Sequence, residues 1–419
     1  TIVRKLIPVK EQSVVFATLK SIINELEDLL KGVFLVKELS TKTLDFILSH
    51  GERLNAYIIA SAARFQGITS SFLDARTLVK TDSTHGNANV DFDITNSNIE
   101  QYFLKTNESQ FITGFIASDK NNVTTTLGRG GSDYTASIFA AALNANGVEI
   151  WTDVDGVMTS DPRKVKKAFS LKAISYNEAM ELSHFGAKVI YPPTLQPVFV
   201  KKIPIWIKNT FNPSFEGTYI SEQTGDNSLK VKGVSSISDV SLLTVQGGGI
   251  IGVTGVSSRL FTCLGNAKVN LILITQASSE HSITFAVNVQ DGQKAKEAIE
   301  TEFFYEMQAQ KVETVKIQEK MAIVAIVGEN MHNTPNISGK MFSALGKNGV
   351  NVVAIAQGSS ELNISAVINK KDISKALNAL HASFFLSDSM TLNVFMVGPG
   401  LIGSTSVSYT HLRAHETRH

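Results

Sequence analysis

Along the first 65 residues, apolar positions recur at the spacing of a helix face. Leu19, Ile22, Ile23, Leu26, Leu29 and Leu30 form one stripe within residues 9–50, and Gly32 is expected to stop it. A second helix is expected over 54–65, after Ser49-His50-Gly51-Glu52-Arg53. The pattern then shortens. Strands are expected at 71–73, 111–117 and 123–127, with Asp119-Lys120-Asn121-Asn122 turning a hairpin between the last two. An Ala-rich helix over 134–144 and a strand over 148–151 follow. Strands alternating with helices predict a layered α/β domain with a largely parallel sheet, running to about Ile220. The polar stretch 221–228 reads as a linker.

Beyond the linker the chain repeats itself at an offset of 81 residues. Phe261, Gly265, Val269, Ile274, Gln276 and Glu280 recur as Phe342, Gly346, Val350, Ile355, Gln357 and Glu361. Each copy reads as strand, Gly-containing loop, helix, strand, polar turn, strand and helix. That is a small ferredoxin-like βαββαβ unit, and two copies predict a side-by-side pair over 229–318 and 319–390. A buried strand at 392–397 then runs into Gly398-Pro399-Gly400-Leu401-Ile402-Gly403. G-x-G-x-x-G at a strand end marks where a dinucleotide-binding domain would begin, here over 391–405, although the helix and acidic residue that should follow are absent. Residues 406–419 read as a foreign or frame-shifted tail, with a His-rich metal tract as the alternative.

Composition narrows the functional classes. At 419 residues the chain exceeds one hydrophobic core, so two or three domains are expected. With 39 Lys plus Arg against 38 Asp plus Glu, a net charge of +1 gives no basic surplus for nucleic acid. No apolar run reaches the roughly 18–20 residues that span a bilayer, so no membrane partner is expected. The single cysteine, Cys263, excludes an internal disulfide and a four-thiolate metal site, and its apolar neighbours predict an inert thiol in a cytoplasmic protein.

The densest chemical signal is Thr126-Leu127-Gly128-Arg129-Gly130-Gly131-Ser132-Asp133, placed at a helix start. Adjacent glycines let backbone amides approach a bound group, and the helix N-terminus favours an anion. Arg129 adds a guanidinium fork for a carboxylate or phosphate. The plainer alternative is an ordinary helix start capped by Ser132 or Asp133. A second signal runs from Glu149 through Trp151-Thr152-Asp153-Val154-Asp155-Gly156-Val157-Met158 to Asp161-Pro162-Arg163. It sits past a strand's end, where open α/β sheets bind ligands. Asp155-Gly156 taken alone is equally a solvated turn. Arg163 and Lys188, the latter in Phe185-Gly186-Ala187-Lys188, supply cations for a polyphosphate.

Gly51-Glu52-Arg53-Leu54, Gly128 to Asp133, Trp151 to Gly156, Asp161 to Arg163 and Phe185 to Lys188 resemble, in order, the motif series of the aspartokinases. The repeat, with Gln276 and Gln357, resembles the family's paired ACT domains, and the glycines 398, 400 and 403 resemble the dehydrogenase start of its bifunctional homoserine dehydrogenase members. The resemblance implies an amino-acid-kinase fold and transfer of the ATP γ-phosphoryl to the β-carboxylate of L-aspartate. It implies that Arg129 grips the α-carboxylate, Glu52 the amino group, and Asp133 orients the substrate. Thr152, Asp153, Met158, Arg163 and Lys188 would hold the nucleotide, with Arg129, Asp133 and Lys188 as the catalytic set and Mg²⁺ as counter-ion; no metal site of the protein's own is expected. L-threonine would inhibit by binding near Gln276 and Gln357, and the ACT domains would join subunits into a homo-oligomer. NADP belongs only to the dehydrogenase part.

Two departures stand out. Met158 replaces an aromatic nucleotide contact, and the family's N-terminal Lys-Phe-Gly-Gly element has no counterpart here. Two other readings compete: another amino-acid kinase of the same fold, and a non-catalytic amino-acid sensor. Because the phosphate-contacting lysine of that element is missing, little kinase turnover is expected from the 419 residues alone. Hydroxamate trapping of the acyl phosphate measures this, and robust turnover would contradict it.

Overall fold

The computed structural model describes residues 2–185, 191–222, 229–248, 255–276 and 282–386. The segment with Gly398, Gly400 and Gly403, the tail after it and Lys188 lie outside the described residues. The chain opens with α1 (Ile2–Leu6), α2 (Val9–Val36) and α3 (Thr41–Phe65). Gly32 does not stop the first stripe: α2 continues to Val36 and ends at Lys37 in a left-handed conformation, φ 55°. One glycine costs a helix about 1 kcal/mol against Ala, which a 28-residue helix braced by its neighbour absorbs. The second helix starts well before residue 54. Ser40 caps it by accepting from the Thr43 N–H at 3.2 Å, so Ser49, His50 and Gly51 lie inside α3 rather than in a loop. Arg53 bonds Glu25 at 2.7 Å and ties α3 to α2.

The α/β layer holds β1 (Ser70–Leu73), β2 (Lys80–Thr81), α4 (Phe92–Phe103), β3 (Ser109–Ile112), β4 (Ile116–Asp119), β5 (Thr124–Thr126) and α5 (Gly131–Ala142). It continues with β6 (Val148–Thr152), β7 (Ala173–Ser175), α6 (Tyr176–His184), α7 (Pro192–Lys201), β8 (Ile205–Asn209) and β9 (Thr218–Ser221). Among the described residues, β1 pairs β3, β2 pairs β4, β6 pairs β8 and β7 pairs β9, all in parallel; β4–β5 and β8–β9 are antiparallel. The expected hairpin between β4 and β5 is present. The single strand expected over 111–117 is broken, because Phe115 adopts φ 66° and splits it into β3 and β4. Ile150, Ile205, Ile207 and Ile220 bury against Ala140, Leu182, Leu195 and Val198 from α5, α6 and α7.

The repeat comprises β10 (Gly233–Gln246), α8 (Val256–Asn266), β11 (Leu271–Gln276), β12 (Ser282–Asn288), α9 (Val289–Glu302) and the short α10 (Phe304–Gln308). The second copy follows as β13 (Lys316–Val327), α11 (Ile337–Lys347), β14 (Val352–Gln357), β15 (Asn363–Asn369) and α12 (Ile373–Phe385). The two copies are not separate sheets. They form one sheet ordered β11-β12-β10-β13-β15-β14, with β10 and β13 antiparallel at its centre. Both central strands serve both copies. Leu242–Thr244 pair with Lys316–Gln318 on the first copy's side, and Gly233–Ile237 pair with Ile323–Val327 on the second's.

A boundary at 318/319 therefore falls inside β13, and Val231 and Val234 belong to the second copy's core despite standing at the start of the first copy in sequence. Period-two alternation divides the second copy's burial. Ala322, Val324 and Ile326 face the cluster with α11 and α12, while Ile323, Ala325 and Val327 join the cluster that contains Leu182 of α6. The N-terminal half thus packs on the face of the sheet that the repeat's own helices leave open. Among the described residues, no helix is long and apolar enough to cross a membrane. Ile323 is fully buried at this junction, so Ile323→Ala should lower the unfolding free energy by about 2–5 kcal/mol, read from denaturant titration.

Candidate active site

The start of α5 is built as an open anion seat. Its N-cap is Gly130, at φ 71°, and no side chain caps the helix, so the alternative of an ordinary start capped by Ser132 or Asp133 does not hold. Gly128 is also left-handed, at φ 73°, and a Cβ there would lie 2.5 Å from Asn87 Oδ1. The loop that carries Asn87 is fixed from α3. Asp45, only 1% exposed, accepts from Gly86 N–H at 3.0 Å, His85 Nδ1 at 2.8 Å and Thr126 Oγ1 at 2.7 Å. Sequence reasoning missed Asp45, which lies in an ordinary polar stretch of a helix and carries no motif.

Arg129 is exposed, and no hydrogen-bond or ion-pair partner occupies its guanidinium among the described residues. Facing the same helix start, Glu52 of α3 lies 3.5 Å from Ser132 Oγ and accepts from the Gly114 backbone. Gly114 has no room for a side chain, since a Cβ there would fall 2.8 Å from that of Ser132. The strained Phe115 beside it is held by its N–H to Thr135 Oγ1 at 3.0 Å and by its carbonyl, which accepts from Leu127. Burial pushes the Glu52 carboxyl above its ordinary range, against the lowering hydrogen bonds, and burial alone does the same to Asp133. The structure thus brings Glu52, Arg129, Ser132 and Asp133 to one helix end, with a cation and two acids around it.

The second group gathers at the carboxyl ends of β6 and β8. Thr152, the last residue of β6, is in register with Asn209, the last of β8, and its hydroxyl lies 3.2 Å from Asp153 Oδ1. Asp155 is structural: its carboxylate accepts from Asn209 at 2.8 Å and Asn212 at 3.2 Å, as the turn reading supposes. Gly156, at φ 108°, has Thr218 Oγ1 where a Cβ would stand. Met158 is half-buried and bridges to Ser170. Arg163, with a side chain 74% exposed, folds back on Asp161 through Nε at 2.9 Å and Nη2 at 3.0 Å. That bidentate pair leaves the guanidinium at the surface and lowers the Asp161 pKa.

The repeat contributes a third feature. A cavity of about 140 Å³ opens at the start of α11, lined by Met331, Thr334, Asn336, Ser338, Gln357 and Glu361 among others. As at α5, the N-cap is left-handed, Asn336 at φ 69°, and has no side-chain cap bond. Gln357 ends β14 and lines this cavity. Gln276 ends β11 at the equivalent point, but the turn after it lies outside the described residues. Outside the cavity lining, the second copy touches α6: the Glu329 N–H donates to Glu178 at 2.9 Å, and Asn363 donates to Glu181 at 2.7 Å.

The chain matches the family model for the amino acid kinase family over residues 7–209 and that for the ACT domain over 243–303 and 324–384. It is 39% identical over 402 residues to the chloroplastic bifunctional aspartokinase/homoserine dehydrogenase 1 of Arabidopsis thaliana, covering 94% of this chain and 44% of that protein. The chain thus spans less than half the length of its bifunctional relatives. Against chloroplastic aspartokinase 1 of the same plant it is 30% identical, over 94% of this chain and 69% of the relative. Among solved structures, E. coli aspartokinase III in complex with aspartate and ADP superposes with a TM-score of 0.77 at 26% identity, covering 91% of this chain and 84% of that one. The same enzyme with lysine and aspartate gives 0.70 at 26% identity, covering 91% and 83%. Matched over most of an aspartokinase and sharing its kinase-plus-ACT build, this chain belongs to the aspartokinase family.

Proposed function

We propose that this chain is the kinase and regulatory portion of a bifunctional aspartokinase–homoserine dehydrogenase, and that its kinase transfers the γ-phosphoryl of ATP to the β-carboxylate of L-aspartate, giving 4-phospho-L-aspartate. The observation that carries this reading is an uncapped helix start that gathers Glu52 and the exposed Arg129, whose guanidinium has no partner among the described residues. A zwitterionic amino acid needs that pairing: a guanidinium fork for the α-carboxylate and an acid for the ammonium. Glu52 and Asp133 are held partly buried and hard to ionise, so an incoming ammonium improves their surroundings as it binds. The complex of aspartokinase III with aspartate and ADP supports the same substrates here.

The accepting β-carboxylate is already ionised at neutral pH, so no general base is required. Rate must come from alignment and from charge neutralisation on the transferring group. Arg129 and Glu52 fix the substrate's main chain, which aims its side-chain carboxylate. Thr152, Asp153, Met158 and Arg163 receive the nucleotide, together with Lys188. Met158 offers a polarizable thioether to the base. Bound Mg²⁺ would neutralise phosphate charge. Asp153 is the exposed carboxylate positioned to meet it, and no cluster of three acidic, His or Cys ligands gathers among the described residues. The ion would therefore arrive held chiefly by the nucleotide's phosphates. NADP would serve only the dehydrogenase portion.

The cavity at α11 we read as the seat of an amino-acid effector, threonine, with Gln357 as the amide that both donates and accepts. The lysine-bound form of aspartokinase III supports amino-acid control of this class of enzyme. Edge strands β11 and β14 expose Ile274, Val353 and Ile355, in keeping with a homo-oligomer joined through the repeat. The half-buried Cys263 thiol, its pKa raised by burial, fits an unreactive residue in a reducing cytoplasm.

Arg129→Ala should weaken aspartate binding at least tenfold in calorimetry and leave ADP nearly unchanged; equal losses would reassign the residue. Burial raises the Glu52 pKa, so its contribution to stability is present below the ordinary carboxylate value and is lost as pH rises through the raised one. Ammonium binding needs the ionised form. Aspartate affinity should therefore fall as pH drops from neutral through the raised pKa. Glu52→Gln should flatten that dependence while leaving the melting temperature equal or higher. Gln357→Ala should weaken threonine binding about tenfold, about the worth of one buried hydrogen bond, with lysine titrated in parallel. An unchanged threonine affinity removes Gln357 from the site.

A further inference from the structure

The loop that carries Met158, Asp161 and Arg163 is not supported by the kinase half alone. Thr159, at its centre, is 0% exposed, and all of its polar groups are engaged. Its N–H donates to the Phe169 carbonyl at 2.9 Å, and its carbonyl accepts from the Val234 N–H at 2.8 Å. Its hydroxyl oxygen accepts from the Phe169 N–H at 3.1 Å and lies 2.9 Å from Nε2 of His381, on the last helix of the repeat. With the hydroxyl oxygen already accepting, its hydrogen is the one left to give, and a neutral imidazole takes it on Nε2. Burial first, and then the nearby Lys167, keep the His381 pKa low, which favours that neutral ring.

Further contacts fasten the same loop to the same copy. Asn378 donates to the Lys164 carbonyl at 2.9 Å, Val165 is buried in the core with Ile326 and Leu377, and Phe169 meets His381 and Phe385 edge-on. The span of the loop from Thr159 to Phe169 is thus templated by β10 and α12.

We infer that His381, some 220 residues downstream in the chain, is a positioning residue for the nucleotide seat, acting through the Thr159 hydroxyl on the loop between Met158 and Arg163. This rests on the reading of that loop as nucleotide-binding. The role is confined to one ligand. Thr159 makes no contact with Glu52 or the start of α5 among the described residues, so aspartate should not sense the change.

The test is calorimetric titration of the 419-residue chain with ADP and, separately, with aspartate. His381→Leu should weaken ADP binding about tenfold, about the worth of one buried hydrogen bond, and leave aspartate within twofold. His381→Gln places an amide oxygen where Nε2 stands and should restore ADP affinity to within about threefold of the parent. A general packing role would lower both affinities and would not be rescued by Gln. Equal losses for the two ligands, or no rescue, would overturn the inference and leave the nucleotide reading intact. Failure of the unaltered chain to bind ADP would overturn both. Where His381→Leu fails to fold, Thr159→Val against Thr159→Ser asks the same question from the other side of the bond.

Discussion

The antiparallel pairing of β10 with β13 is the constraint on which the rest of this molecule hangs. Each strand is long enough to lie in both copies of the repeat, so neither copy has a complete sheet without the other. Because β10 follows directly from the kinase half, its first residues are drawn into the second copy before the first copy begins. That routing places the second copy, and not the first, against the kinase half. It brings α6 beneath the sheet and the loop around Thr159 against α12. The cavity at α11 and the loop around Thr159 thus both lie against the second copy of the repeat.

The helix starts at α5 and α11 are open, as is that of α8, which begins at the left-handed Gly255. Each ends in a left-handed residue with no capping side chain, leaving unpaired amides that a capped helix would satisfy internally. Leaving a cap out costs about 1 kcal/mol of helix stability, and partial burial of Glu52 and Asp133 adds to it. Other polar groups are satisfied within the chain. Asp45 and Asp119 are buried with several donors each, and α6 begins with a complete capping box from Ser175 and Glu178.

Much of this was legible in the sequence. The glycines at 128 and 130 announced a backbone that no other residue adopts easily, and the repeat announced its own units. The expected hairpin and the helix after Gly130 are present because turn and helix-start signals are local. Signals failed where long-range packing overrode local preference. Gly32 looked like a stop, but one glycine costs only about 1 kcal/mol and α2 runs on to Val36. The run over 111–117 looked like one strand, but the strained Phe115 is held by Thr135 and Leu127 from elsewhere in the chain. Asp45 and His381 were silent because their partners lie some 40 and 220 residues away. The sharing of β10 and β13 was likewise hidden, since the two copies look tandem in sequence and are interleaved in space.

The interleaving also sets an order of events during synthesis. Residues 233–237 leave the ribosome with no partner strand, and remain so until β13 has been made. The loop around Thr159 waits longer still, because its inner contacts on α12 arrive only with residues 378–385. A nascent chain therefore carries Glu52, Arg129 and the start of α5 well before the loop around Thr159 has its inner contacts. The kinase half cannot complete that loop ahead of the repeat on which it packs.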